Sequence, residues 1–190
     1  MPGDDQKIKS ALEIALEKAE KLGAPSEEEK QTARREELAA TGEALAKRYL
    51  NGLPLRDLEV ELAKLPDNDA EVVRHRLKSH LLEAIDLESP GQNDKALAAI
   101  QQLFSESETV QSIRDLLQGY AGAVESARAQ NLPALESAKM EELRQRGISG
   151  SAIEPSVETS PAWLRLRQQL SASYKAQIEE IKRRSLEASI

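Results

Sequence analysis

The residues best suited to acid–base or metal chemistry are two histidines, and both fall in one predicted helix. Glu71 and His75 are four residues apart, which places a carboxylate and an imidazole on one helix face. His75 and His80 are five apart, so they diverge by about 140° around a helix and cannot bind one metal ion together. A di-metal bundle needs Glu-x-x-His pairs on two helices, and the sequence has none. We therefore expect no metal site and no cofactor.

A short glycine- and serine-rich stretch over residues 147–151 has the composition of a phosphate-binding loop or a nucleophile elbow. It lacks both the Gly-Lys-Ser/Thr ending of the first motif and the Gly-x-Ser-x-Gly spacing of the second. No histidine follows His80 to act as a nearby base, and the absence of cysteine excludes thiolate chemistry. We expect the glycines to end a helix and allow a turn, and we predict that the protein is not an enzyme.

Basic residues are densest near the end of the chain, at Lys182, Arg183 and Arg184, which form a candidate patch for an anionic partner. Glu179 and Glu180 are spaced to pair with the two arginines, which favours ordinary ion pairs on a helix surface. The whole chain has a net charge of -7 and a pI near 5.1, which disfavours binding to nucleic acid or anionic membranes. Nucleic-acid association through the C-terminal helix is kept as a second alternative.

The composition favours helices over strands as the elements that carry these residues. Alanine and leucine each occur 26 times, whereas valine and isoleucine occur only six and ten times. Aromatic residues make up 3% of the chain and charged residues 31%. These values predict an all-α protein whose core consists mainly of leucine and alanine.

Apolar spacing and capping residues predict a mostly antiparallel bundle of seven or eight helices. The uncertainty in number comes from a weak junction at Ser105. The predicted helices cover approximately residues 4–22, 26–51, 54–65, 67–85, 94–104, 107–130, 131–146 and 161–190. Residues 1–146 form the bundle in this prediction, and residues 161–190 form an amphipathic helix packed on the bundle or on a partner.

Residues 147–160 lack a helical period and contain two glycines and a proline. Apolar side chains at Ile148, Ile153 and Val157 distinguish this segment from a solvated linker. We predict an extended, non-helical strap that lies over the bundle.

The predicted sixth helix has an apolar seam at alternating spacings of three and four residues, which requires a partner helix. A homodimer or another part of the chain could supply that helix. Trp163, in the last helix, is expected to anchor that helix or to act as a hot spot for another protein. Together with the strap, these residues form the candidate partner-binding set: Val110, Ile113, Leu117, Tyr120, Val124, Ile148, Ile153 and Trp163.

These patterns predict a non-catalytic protein–protein interaction or scaffold protein that self-associates, with a protein as its partner. The first residues lack the basic and apolar regions of a secretion signal, so we expect a cytoplasmic location. The main alternative is an enzyme or small-molecule-binding protein with a pocket between helices. Convergence of Glu71, His75 and a basic residue in a closed pocket would favour that alternative.

Overall fold

A computed structural model describes Ser10, residues 26–147 and residues 157–188, without the side chain of Val157. These residues form six α-helices and one 3₁₀ turn, and they contain no strand. The all-α prediction is thus confirmed for the described residues, whereas the first predicted helix lies outside them. The helices are α1 (Glu27–Leu50), α2 (Leu55–Ala63), α3 (Asp67–Glu83), α4 (Pro90–Phe104), α5 (Ser107–Gln145) and α6 (Pro161–Glu187).

Helix α1 begins and ends where local chemistry predicts. The Ser26 hydroxyl accepts a hydrogen bond from the Glu29 backbone N–H, and the Ser26 N–H donates to the Glu29 carboxylate, which completes a capping box. The chain leaves the helix through Asn51 and Gly52, where φ is +116°. This backbone conformation suits glycine because it has no Cβ.

Helix α4 begins four residues earlier than predicted, at Pro90 instead of Asp94. Proline is compatible with the first turn because that turn has no partner for its N–H, so the predicted break at residues 89–91 is a helix start. At the other end, Ser105 has a φ of 58° and separates α4 from α5. The weak junction at this residue is therefore a true helix boundary.

The predicted break at Pro133 is wrong, because α5 continues through it to Gln145. A proline inside a helix costs about 3 kcal/mol through its missing N–H and its ring. Two leucines next to it compensate: Leu135 is buried against Trp163 of α6, and Leu132 packs on the same cluster. Contacts with a distant helix thus hold together two segments that the sequence predicts to be separate.

Helices α1 and α3 form the closest pair in the bundle and run parallel, because α2 carries the chain back between them. The direction follows from two ion pairs, Arg34 with Asp69 and Glu43 with Arg76. From the first pair to the second, the residue number increases in both helices, so the helices run the same way. At the crossing, a Cβ atom added to Gly42 would lie 2.4 Å from the backbone oxygen of Val73. The absence of a side chain at residue 42 therefore permits this approach.

Helices α5 and α6 form an antiparallel pair. Tyr120 packs edge-on against Tyr174, and Leu135 contacts Trp163 about four turns further along α5. Two apolar clusters result. The larger one contains residues from each of α1–α4, from the start of α5 and from the end of α6, and the smaller one lies between α5 and α6 around Trp163.

The structure tests only part of the predicted strap. Residues 148–156, including Ile148 and Ile153, lie outside the described part of the chain. Val157–Thr159 form a 3₁₀ turn, so the last residues of this segment are helical instead of extended. The Ser160 hydroxyl then accepts a hydrogen bond from the Trp163 N–H at 3.2 Å and caps α6. Within the described residues, no helix combines the length and hydropathy needed to cross a membrane.

Candidate functional site: the groove between α1 and α3

A groove of about 1190 Å³ lies between the first halves of α1 and α3. Its apolar floor is formed by Leu38, Ala39 and Val72, all of them half-buried. Ser26 and residues 27–37 of α1 are exposed throughout. The buried residues of α1 lie in its second half, from Gly42 onward. The groove is thus an open channel with one wall from each helix.

Two ion pairs hold the walls of the groove together. Arg34 of α1 donates to Asp69 of α3 at 2.8 Å, and this contact raises the pKa of Arg34. Arg76 of α3 donates to Glu43 of α1 at 2.9 Å. A hydrogen bond from Lys47, followed by the one from Arg76, lowers the pKa of Glu43 from 4.5 to about 2. These ion pairs join the two helices and involve three of the charged side chains that line the groove, Arg34, Asp69 and Arg76.

Six other charged or polar side chains line the groove without a hydrogen bond or an ion pair to any described residue: Glu28, Gln31, Asn68, Arg35, Glu71 and His75. The groove therefore does bring together a carboxylate, an imidazole and a basic side chain. All three are exposed, however, and the site is open. Catalytic acids and bases usually sit in cavities that exclude water and fix their orientation, which this groove does not do.

The predicted apolar seam of α5 is covered by the chain itself. Val110, Ile113 and Tyr120 are buried, Leu117 packs on the larger cluster and Val124 on the smaller one. Tyr120 packs against Tyr174 of α6, and Val124 belongs to the cluster around Trp163 of α6, whereas the larger cluster contains residues of all six helices. A second molecule could reach these side chains only after α6 had moved.

Trp163 of α6 is 5% exposed and packs against Leu135 of α5. This is the anchoring position that the sequence suggested as one of two roles. The neighbouring Leu164 is 50% exposed, so the outer surface of this helix end still presents an apolar side chain.

The predicted basic patch is largely neutralised by neighbouring groups. Lys182 is buried and donates to the Ile85 backbone oxygen at 2.8 Å and to Glu179 at 2.7 Å. Arg183 and Arg184 are exposed, and both donate to Glu180. The three cations therefore take part in local ion pairs, although Glu179 pairs with the lysine instead of Arg183.

A buried polar network that the sequence did not predict joins α3 and α6 to Glu106, the N-cap residue of α5. Lys78 is 1% exposed and donates to the Ser185 backbone oxygen at 2.6 Å and to the Glu106 carboxylate. Ser185 also donates to Glu106. A lysine in the last turn of a helix stabilises the carbonyl groups at the C-terminus of that helix. Here Lys78 of α3 does so for the Ser185 carbonyl in the last turn of α6. Lys78 directly follows Leu77 of the apolar stripe, and no local signal distinguishes it from a surface lysine.

Comparison of the chain with protein-family models, curated proteins and solved structures finds no match. Within the described residues, no group of three or more histidine, cysteine, aspartate or glutamate side chains is arranged to hold a metal ion.

Proposed function

We propose that this protein is a non-catalytic interaction protein that binds an amphipathic helix of a partner protein in the groove between α1 and α3. The observation that carries the proposal is the form of the groove: an apolar floor between two helices, with charged side chains on both walls. Helix-in-groove recognition uses apolar anchors at one helical turn spacing and charges at the rim to set register. The seam of α5 is a less suitable binding surface, because α6 already covers it.

Three turns of α-helix match the groove in size. The α1 wall of the groove, from Glu28 to Ala39, is about 17 Å long at 1.5 Å per residue, which equals about three helical turns. Arg35 on one wall and Glu71 on the other would interact with charges of opposite sign on the bound helix. Since both are exposed, they would contribute more to register and association rate than to affinity.

Two valines provide a matched test. Val72 lies in the groove floor, whereas Val60 on α2 lies outside the groove and is 48% exposed. The unmodified chain and the variants Val72→Glu and Val60→Glu should be used as bait in a cell lysate, with circular dichroism to establish that each is folded. A carboxylate desolvated without a partner costs several kcal/mol, so we expect Val72→Glu to reduce capture at least tenfold.

Val60→Glu should capture the same protein as the unmodified chain. Equal capture by both variants would place the binding surface elsewhere. Failure of all three baits to capture a protein would contradict the proposed function.

A further inference from the structure

We propose that residues 178–187 of α6 form a lid over the larger apolar cluster, and that two buried lysines, Lys78 and Lys182, hold it closed as a single unit. The half-buried side chains of Ile181 and Leu186 pack against that cluster, so opening of the lid would uncover apolar surface. Neither lysine lines the groove between α1 and α3. The lid is therefore separate from the surface to which the proposed function belongs.

Helix α6 is held at two places that lie far apart along its axis. Trp163 belongs to the smaller cluster, whereas Ile178 is buried about 22 Å further along the helix. Among the described residues between them, 164–177, none is fully buried. Because the two places are distant and the stretch between them is partly exposed, one end of the helix can open while the other stays bound.

Lysines exchanged between α3 and α6 hold the lid closed. Lys182 of α6 donates to the Ile85 backbone oxygen, just beyond the end of α3, at 2.8 Å. Lys78 of α3 donates to the Ser185 backbone oxygen, in the last turn of α6, at 2.6 Å. Each helix thus places a cation against a carbonyl group at the C-terminus of the other, where the helix dipole favours positive charge.

Burial makes the two lysine contacts depend on each other. The exposed fraction is 1% for Lys78 and 8% for Lys182. Both contacts cross the same boundary between α3 and α6, so outward movement of the lid breaks them together. An ammonium or carbonyl group that stays buried without its partner costs more than the hydrogen bond contributes. Partial opening is therefore unfavourable, and the lid opens as one unit.

Glu106 joins the lid to the start of α5. Its carboxylate accepts hydrogen bonds from Lys78 and from the Ser185 hydroxyl, and its side chain is 20% exposed. When the lid opens, water solvates these polar groups, which offsets much of the hydrogen bonding that is lost. Water offers no such compensation to the indole of Trp163. We therefore expect the lid to open more readily than the Trp163 end of α6.

Substitution of the lysines tests whether they hold the lid together. The variants are Lys78→Met, Lys182→Met and the double substitution, because methionine keeps an unbranched apolar side chain and removes the charge. Arg184→Met is the matched control. Arg184 lies in the lid, but it is exposed and donates to Glu180 of the same helix.

Hydrogen exchange measured by mass spectrometry reports the opening of each part of the chain separately. Peptides from residues 178–187 report on the lid, and peptides from residues 161–170 report on the Trp163 end. Peptides from residues 42–50, in the second half of α1, show whether the bundle remains folded.

We expect each single substitution to speed exchange in the lid by about tenfold or more, because it leaves a buried polar group without its partner. The Trp163 end and α1 should change less than about twofold, and Arg184→Met should change the lid less than about twofold. In the double variant, the lid should exchange no more than about threefold faster than in the faster single variant, because one missing lysine already releases it.

Three results would overturn the proposal. They are unchanged exchange in the lid of Lys182→Met, equal acceleration at the Trp163 end, and a double variant whose effect is the product of the two single effects. The last result would show that the lysines act independently. If Lys78→Met proves unfolded in α1, Glu106→Gln takes its place in the same comparison, because it removes the charge that Lys78 faces.

Discussion

Replacing Gly42 by alanine tests the close approach of α1 and α3 most directly. The added Cβ would lie 2.4 Å from the Val73 backbone oxygen and 3.1 Å from the Leu77 nitrogen. Both are backbone atoms inside a helix, so rotation of a side chain cannot relieve the contact. The two helices must separate, and such overpacking costs about 1–3 kcal/mol.

A matched control separates this cost from the effect of alanine on the helix itself. Gly122 is also inside a helix, and a Cβ there has nothing within 4 Å. Alanine in place of glycine in a helix interior stabilises the folded protein by about 0.5–1 kcal/mol. Both variants receive this gain, so their difference in free energy of unfolding measures the overpacking alone. We expect Gly42→Ala to be about 1–3 kcal/mol less stable than Gly122→Ala.

Urea unfolding followed by circular dichroism at 222 nm gives the two free energies of unfolding, provided that each transition is two-state. For a chain of this size, 1 kcal/mol corresponds to a Tm difference of about 2–4 °C. Gly119→Ala provides an intermediate case, because its Cβ would make an ordinary contact at 3.4 Å with Tyr174. If Gly42→Ala proved as stable as Gly122→Ala, the crossing of α1 and α3 at this residue would be refuted.

Two further predictions concern the anchor of α6 and the ion pairs of the groove. Trp163→Ala should lower the free energy of unfolding by about 3–5 kcal/mol because it empties the smaller apolar cluster, whereas the exposed neighbour Leu164→Ala should cost less than about 1 kcal/mol. Equal losses in urea unfolding would contradict the anchoring role. Glu43 should titrate near 2 by NMR, with Lys47→Gln raising that pKa more than Arg76→Gln, since the Lys47 hydrogen bond is the larger cause. A lowered carboxyl pKa stabilises the fold above pH 4.5, and this contribution is lost as the pH falls toward 2. A titration of Glu43 near 4.5 in the unmodified chain would show that these ion pairs do not form in solution.

The helical class and several helix ends could be predicted because their causes are local. The Ser26–Glu29 capping box, the turn at Gly52 and the start of α6 at Pro161 each depend on residues within a few positions of one another. Their hydrogen bonds form whenever that short segment is helical. Distant contacts had little influence on these boundaries.

The candidate site was predicted only in fragments. Glu71 and His75 were recognised as sharing a face, but nothing in their spacing shows that Arg34 and Arg35 of α1 lie across from them. The seam of α5 was recognised as needing a partner, but its spacing is the same whether that partner is α6 or a second molecule. Which helices meet depends on the sum of many weak contacts between residues far apart in the chain.

The sequence by itself determined that this protein is helical and where many of its helices start and stop, because capping, proline and apolar period act within one or two turns. Only the tertiary structure decided that α5 passes through Pro133, that Lys78 is buried and that a groove remains open between α1 and α3. Each of these outcomes balances a local cost against contacts from another helix. The Trp163 cluster outweighs the proline, and Glu106 with Ser185 satisfies the buried lysine.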